Sequence, residues 1–273
     1  MIQRIFKNLG VLHTPVPDES TQLERDGWTI VRGVFDADEI VELRKEVDEI
    51  FDTVPPERFR DDKAEFRYEM LNRSAACQAA VGKREILEVI TPLLGTDCHV
   101  IANTAWRNPP DFGGGPWHCD AGPHIPRDEG VPWPDDIAYP VFAIGAHILL
   151  QDCELADGPT AVVQASHRSG RLAPFDRMND PTLTWDGRPP ALLEGAAGDV
   201  AMFASDVWHR GTASTDAGRG RYFLQVHYGR RDIAQRLRPP GETLQLSPEA
   251  IARATTPQQK TIIGIHDPFF YDS

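Results

Sequence analysis

The sequence has no excess of positive charge: 28 Lys and Arg residues stand against 41 Asp and Glu residues, and the formal net charge is −13. A nucleic-acid-binding protein needs a basic surface that displaces the counterions of the phosphate backbone. We therefore expect no nucleic-acid partner. The acids are spread along the chain rather than gathered in a tail, which is typical of a solvated acidic surface.

The sequence also lacks a long apolar run. No segment approaches the ~20 apolar residues of a membrane-spanning helix. The first residues, Met1–Lys7, lack the unbroken apolar stretch of a signal peptide. We therefore expect neither a membrane partner nor a secretory leader. Ile2, Ile5, Phe6 and Leu9 are spaced to form one side of a short helix.

Cysteine is scarce, and its four positions show no C-x-x-C spacing. They are too few for a disulfide scaffold, which favours reduced thiols in a cytoplasmic protein. The four residues are Cys77, Cys98, Cys119 and Cys153.

Internal repeats and low-complexity linkers are also missing, so we expect a single domain over residues 1–273. The 22 glycines and 23 prolines suit many strands joined by turns, and 41% apolar residues suffice for one large core. We predict a helical N-terminal part over about 1–97, a jelly-roll core over about 98–230, and a C-terminal segment over 231–273.

Two helices are predicted before the core. A strand, Trp28–Phe35, leads into a helix that Asp36 caps and Glu39 closes as a capping box. The apolar spacing from Ile40 to Phe51 places one face of this helix on the core. A second helix is predicted over about residues 75–94, ended by Pro92 and Gly95.

From Cys98 onward, the pattern changes to short strands separated by turns. Such strands, preceded by helices, predict a mostly β fold with flanking helices, namely a double-stranded β-helix or cupin-like jelly roll. The proline-rich stretch Ala121–Pro140 is predicted to be a loop over one mouth of this barrel. The candidate strands are Cys98–Trp106, Val141–Leu150, Thr160–Gln164, Asp199–Phe203 and Tyr222–Tyr228.

A candidate metal-binding pair lies in the segment Gly113–Asp120. On an extended segment, side chains two positions apart point the same way. His118 and Asp120 can therefore face one point while Cys119 turns away. One imidazole and one carboxylate suit Fe(II), although an ordinary hydrogen bond is the alternative role for such a pair.

Two further candidates follow later in the chain. His209 stands just beyond the strand that Gly198–Asp199 opens, where a capping or surface role is the alternative. Arg221 heads the last strand, and an inward guanidinium there matches a carboxylate in bidentate fashion. Arg219 has the same parity and is the alternative to Arg221.

These pieces, in order, resemble the phytanoyl-CoA dioxygenase family of Fe(II)/2-oxoglutarate oxygenases. The resemblance implies a double-stranded β-helix in which His118, Asp120 and His209 bind iron and Arg221 binds the distal carboxylate of 2-oxoglutarate. The matching stretches cover most of residues 23–228; they are 27–35 with its helix, 117–120, 149–159, 165–167, 208–212 and Arg221.

The resemblance has departures. The family usually has Gln where Cys119 stands and a Pro-Gly turn at positions 164–165, and the spacing from His209 to Arg221 is about one residue longer here than is usual in the family. Thr212 and Asn103 align with co-substrate contacts, but either can be a turn or ladder residue. His147 and His227 also lie in candidate strands, where they can compete as ligands, bind substrate or serve as core histidines.

The resemblance implies an enzyme that uses Fe(II), 2-oxoglutarate and O2 to oxidise a small-molecule substrate, with release of succinate and CO2. Asp120, in place of the Gly or Ala of a halogenase, favours hydroxylation or a related desaturation, ring closure or epimerisation. The rivals are a metal-dependent hydrolase or isomerase and a non-catalytic ligand-binding protein on a cupin-like barrel. Neither the substrate nor the oligomeric state is encoded in these motifs.

Overall fold

Short strands form the centre of the computed structural model, which describes residues 16–56, 65–238 and 245–268. They are β1 (Trp28–Val31), β2 (Glu65–Arg67), β3 (His99–Asn108), β4 (Ala143–Leu149), β5 (Thr160–Val163), β6 (Pro190–Leu192), β7 (Val200–Ala204), β8 (His209–Gly211) and β9 (Arg221–Gly229). They form two antiparallel sheets, of strand order β1-β7-β4-β9-β3-β2 and β6-β5-β8. The predicted mostly β jelly roll is confirmed.

The α-helices of the described residues either precede β3 or follow β9 in the chain. They are α1 (Asp18–Asp26), α2 (Ala37–Thr53), α3 (Met70–Arg73), α4 (Ala75–Ala80), α5 (Arg84–Leu94), α6 (Pro248–Arg253) and α7 (Pro257–Ile262). Helix α2 begins with the predicted capping box, because Asp36 and Glu39 each accept a hydrogen bond from the other's backbone N–H. The short helix predicted from Ile2 to Leu9 lies outside the described residues.

The prediction of one helix over residues 75–94 is wrong in two respects. The chain forms α4 and α5 instead, and the Gly82 N–H bonds to the Ala79 carbonyl in a tight turn between them. Pro92 lies inside α5 and does not end it. The helix ends at Gly95, whose φ of 101° is open to glycine but costly for other residues. The first strand is also shorter than predicted, since it ends at Val31.

Alternation along the strands gives the larger sheet two different faces. On β9, Tyr222, Leu224 and Val226 belong to the main apolar core, which also contains the buried side of α2. Arg221 and Phe223, which alternate with these residues along β9, line a cavity on the opposite face. Period-two alternation thus assigns one face of the sheet to helix packing and the other to the barrel interior.

The barrel interior is closed by contacts between the two sheets. Val162 of the smaller sheet packs with Ala201 and Phe203 of the larger sheet in one buried apolar cluster. Gly145 lies opposite Phe203, and a Cβ there would come within 2.8 Å of the ring. This packing leaves the part of the interior near β8 and β9 open as a cavity.

Candidate active site

Backbone pairing brings His118 and His209 together from distant parts of the chain. Each donates its backbone N–H to the other's carbonyl oxygen, at 2.9 Å in both directions. The next ligand candidate, Asp120, donates its N–H to the Ser205 carbonyl. Because Asp120 lies two positions after His118 on this extended segment, both side chains point to the same side. Cys119 turns away, as predicted, and its thiol contacts the Asp206 carbonyl.

The three side chains converge on one point. One potential ligand atom from each of His118, Asp120 and His209 lies within 4.8 Å of the others. Asp120 Oδ1 is 4.0 Å from His118 Nε2 and 3.4 Å from His209 Nε2. Ligands at right angles on an ion with bonds of about 2.1 Å stand about 3 Å apart. Shifts of about 1 Å or less would therefore bring all three into contact with one ion.

The outer ring nitrogens of both histidines are already occupied. His118 Nδ1 lies 2.9 Å from the Pro116 carbonyl, and His209 Nδ1 lies 3.0 Å from the Val207 carbonyl. A carbonyl only accepts, so each Nδ1 carries a proton, and in the neutral imidazole each Nε2 then presents a lone pair. Two such lone pairs and a carboxylate oxygen then face one another. This donor set fits a divalent transition metal.

The pKa shifts of His209 and Asp120 also support a cation-binding site. Burial alone would lower the pKa of His209, but the neighbouring Asp120 carboxylate outweighs it and the pKa of His209 is raised. Burial alone would raise the pKa of Asp120, but His209 and His227 outweigh it and this pKa lies well below its usual range. The point where the three residues meet therefore stabilises positive charge.

A buried guanidinium lines the same cavity. Arg221 is 9% exposed and Nη1 donates to the Thr160 hydroxyl at 3.0 Å, while Nε has no hydrogen-bond partner. No acidic side chain of the described residues lies within ion-pair distance of it. Burial lowers the pKa of Arg221 to about 10, so it remains cationic at neutral pH. An unpaired buried cation is costly, and a carboxylate ligand such as that of 2-oxoglutarate fits the position.

Two neighbours shape the space around this arginine. Gly211 lies so close that a Cβ there would stand 2.3 Å from Arg221 Nη2, so a side chain at this position would displace the guanidinium. His147 is buried, with Nδ1 3.3 Å from the Thr160 hydroxyl and Nε2 without a hydrogen-bond partner. Burial first, and the Arg221 charge second, hold the pKa of His147 well below its usual value. His147 is therefore neutral.

Arg219, the alternative to Arg221, lies in a different environment. Arg219 pairs with Asp157 at 2.8 Å, and half of its side chain is exposed. It does not line the cavity that contains His118, Asp120 and His209, whereas Arg221 does. The structure therefore favours Arg221 of the two candidates.

Two predicted co-substrate contacts are not brought to the site. The Thr212 hydroxyl donates to the Pro159 carbonyl at 2.7 Å, so it serves a turn outside the cavity. Asn103 donates to the Gln225 carbonyl and lies opposite Val226, on the face of the sheet that packs on helices. On the same strand, Thr104 and Trp106 line the cavity instead.

The cavity has a volume of about 780 Å³. As predicted, the stretch Ala121–Pro140 has no regular secondary structure, and its residues Ala121 and His124 line the cavity. Ile233 and Arg236, from the segment after β9, line it as well. A site of this size accommodates a small organic substrate beside a co-substrate.

Sequence reasoning missed the contacts that support these groups. Thr160 and Gly211 shape the surroundings of Arg221, and His227 approaches Asp120 with Nε2 2.8 Å from Oδ2. His147 and His227 both line the cavity, but neither joins the group of three converging ligand atoms. The parity of β9 places His227 on the same face as Arg221, which was the available signal for its direction.

Asp206 anchors the loop over the cavity. Its carboxylate is 1% exposed and accepts from the Tyr139 hydroxyl at 2.8 Å and the His124 backbone N–H at 3.0 Å, with His124 Nδ1 at 3.0 Å. Burial alone would raise the pKa of Asp206, but the contacts with His124 outweigh it and the pKa is lowered. The ionised carboxylate therefore stabilises the fold.

Asp206→Ala is expected to lower the free energy of unfolding at pH 7 by about 3 kcal/mol, because it leaves buried donors unpaired. Since the folded pKa is depressed, this contribution is present above the unfolded pKa of about 3.9 and is lost as pH falls through the folded pKa. Urea unfolding from pH 8 down to pH 3 measures it. The exposed Asp128→Ala serves as the control, and a deficit that does not shrink in acid contradicts the assignment.

An antiparallel jelly roll that encloses a His-x-Asp pair, a distant histidine and a buried arginine has the architecture of the cupin-like oxygenases. The chain belongs to the phytanoyl-CoA dioxygenase (PhyH) family, whose model matches residues 23–220. The predicted family is confirmed. Its cofactors are Fe(II), 2-oxoglutarate and O2, and the chain is an Fe(II)/2-oxoglutarate-dependent enzyme of this family.

Solved structures share the fold at low sequence identity. HygX from Streptomyces hygroscopicus, with nickel, 2-oxoglutarate and hygromycin B bound, aligns with a TM-score of 0.64 at 16% identity over 85% of this chain and 94% of that one. The epimerase SnoN, in complex with Fe3+, alpha ketoglutarate and nogalamycin RO, aligns with a TM-score of 0.63 at 17% identity over 84% and 92%. The search of curated proteins gives no match.

Within the described ranges, no helix has the length and apolarity needed to span a bilayer.

Proposed function

We propose that the chain is an Fe(II)- and 2-oxoglutarate-dependent dioxygenase that hydroxylates a small-molecule substrate and releases succinate and CO2. One observation carries the proposal. Three ligand atoms that fit a divalent metal share a cavity with a buried guanidinium that has no acidic partner among the described residues. A metal and a dicarboxylate would satisfy both groups at once.

Each group has a defined task in this proposal. His118, Asp120 and His209 hold the iron through Nε2, Oδ1 and Nε2, and their Nδ1 contacts with carbonyls fix the rings. Arg221 binds the distal carboxylate of 2-oxoglutarate, with the Thr160 hydroxyl beside it. When bound, iron and 2-oxoglutarate supply the activation of O2, and the protein fixes geometry and excludes water.

The substrate is proposed to be a natural-product-like small molecule. Hygromycin B and nogalamycin RO occupy the structures of the two neighbours, and a cavity of about 780 Å³ has room for a comparable ligand. Trp106 and Tyr68 offer aromatic wall surface, and Gln225 and Thr104 offer polar contacts. Epimerisation is the second candidate outcome, because SnoN is an epimerase. Asp120 is compatible with both reactions.

The test is a natural-product panel scored by succinate release from protein loaded anaerobically with Fe(II) and then given 2-oxoglutarate and O2. We expect one panel member to raise succinate release and O2 consumption together, and EDTA to abolish both. Mass spectrometry of that compound shows a gain of one oxygen for hydroxylation and no mass change for epimerisation. Turnover of a panel compound with Zn(II), without O2 and 2-oxoglutarate, would instead favour the hydrolase or isomerase rival.

A further inference from the structure

The two oxygens of the Asp120 carboxylate have different partners. Oδ1 faces His118 Nε2 at 4.0 Å and His209 Nε2 at 3.4 Å. Oδ2 lies 2.8 Å from Nε2 of His227, which is on β9 and faces the same cavity as Arg221. The carboxylate is therefore held on the side opposite the other two ligand candidates.

The distances around His227 show which atom donates the hydrogen bond between His227 and Asp120. An ionised carboxylate only accepts hydrogen bonds, so a contact of 2.8 Å places the proton on His227 Nε2. The Gln225 side chain also approaches this nitrogen, but at 3.4 Å. Its Oε1 accepts from Trp106 Nε1 at 2.7 Å, which turns its NH2 group toward His227. Since two N–H groups do not bond to each other, the shorter contact with Asp120 decides the tautomer.

We infer that His227 is a positioning residue that holds Asp120 in single-oxygen coordination of the metal. This inference rests on the proposed function. With Oδ2 engaged by the His227 N–H, only Oδ1 is free to bind the ion, and the carboxylate takes one coordination position. Without His227, both oxygens can bind the ion, and the second would take a position that 2-oxoglutarate or O2 requires.

The fold does not require this side chain for its core. The neighbours of His227 on β9, Val226 and Tyr228, point to the helical side and supply the packing. The β9 ladder continues through backbone bonds to β3 and β4, whatever side chain stands at position 227. Substitutions at this position therefore separate ligand positioning from folding.

Four proteins test the inference: wild type, His227→Leu, His227→Gln and His118→Ala. Leu keeps the volume but has no donor, whereas the Gln amide N–H can replace the imidazole N–H. The probe is Mn(II), titrated by calorimetry under argon, with the electron paramagnetic resonance spectrum of the bound ion as a second readout. Thermal unfolding of the metal-free proteins is the control for folding.

We expect His227→Leu to weaken Mn(II) binding about tenfold to a hundredfold, because the Asp120 carboxylate is no longer held in its binding orientation, and to change the spectrum, because both carboxylate oxygens can then reach the ion. His227→Gln should restore most of the affinity and the wild-type spectrum. Equal affinity and identical spectra for wild type and His227→Leu, with binding lost in His118→Ala, would overturn the positioning role alone. Equal Mn(II) binding by wild type and His118→Ala would overturn both this inference and the proposed function.

A shorter donor provides a second comparison if His227→Leu fails to fold. Asn carries an amide N–H but ends one methylene sooner than Gln, so it falls short of Asp120 Oδ2. We expect His227→Asn to bind Mn(II) more weakly than His227→Gln. Equal affinities for these two variants would overturn the inference.

Discussion

Replacement of His209 by alanine is expected to lower 2-oxoglutarate turnover by about a thousandfold or more, the equivalent of ~4 kcal/mol in the barrier. The substitution removes one of the three converging ligand atoms, and Asp120 Oδ1 loses the imidazole nitrogen that lies 3.4 Å away. Succinate release from Fe(II)-loaded protein measures the loss. His266→Gln is the control, because His266 contacts His99 and does not line the cavity.

The backbone pairing of His209 should survive this change. Its N–H and carbonyl bond to His118 and do not depend on the imidazole. The variant is therefore expected to keep the fold, as measured by circular dichroism. If a folded His209→Ala protein retained turnover within tenfold of wild type, His209 would not be a ligand and the site would have to be reassigned.

Replacement of Arg221 by leucine is expected to raise the KM for 2-oxoglutarate about a hundredfold, which corresponds to ~3 kcal/mol of binding energy. In the proposed site Arg221 is the buried cation that meets the carboxylate, and leucine would leave that carboxylate desolvated without a partner. Steady-state succinate release, measured over a range of 2-oxoglutarate concentrations with the second substrate at saturation, gives this KM. Arg219→Leu is the matched control, since Arg219 is half-exposed and pairs with Asp157 outside the cavity; its KM should stay close to wild type.

The same assignment predicts the effect of a single methyl group. In Gly211→Ala the new Cβ would stand 2.3 Å from Arg221 Nη2, so the guanidinium has to move. The KM for 2-oxoglutarate should rise while Mn(II) affinity stays the same, because neither residue is a metal ligand. A larger effect of Arg219→Leu than of Arg221→Leu on KM would contradict the assignment.

Features that depend on local sequence were predictable. The capping box of Asp36 and Glu39 involves residues three positions apart, and the structure forms it. The positions of β1, β3, β4, β5, β7 and β9 followed from apolar alternation and turn residues, with errors of a few residues at their ends, whereas the three-residue strands β2, β6 and β8 were not predicted. His118 and Asp120 share a side because they lie two positions apart on an extended segment. These relations need no knowledge of the rest of the chain.

Features that depend on distant pairing were not predictable. Asn103 was placed by alignment, but the register irregularity between Val100 and Ala102 and the pairing with β9 turn it toward the helices. The Thr212 hydroxyl is hydrogen-bonded to the Pro159 carbonyl, which lies far away in the sequence, and residue spacing does not reveal this contact. The contact of His227 with Asp120 likewise joins two residues far apart in sequence. Residue spacing and family resemblance together identified the ligand candidates but not the residues that hold them.

Anomalous diffraction from crystals grown under argon with Mn(II) and 2-oxoglutarate tests directly whether His118, Asp120 and His209 bind one metal ion beside Arg221. We expect one manganese peak within about 2.2 Å of His118 Nε2, Asp120 Oδ1 and His209 Nε2. We also expect a 2-oxoglutarate molecule whose distal carboxylate contacts Arg221. Manganese bound elsewhere, or 2-oxoglutarate that leaves the Arg221 guanidinium unpaired, would contradict this assignment.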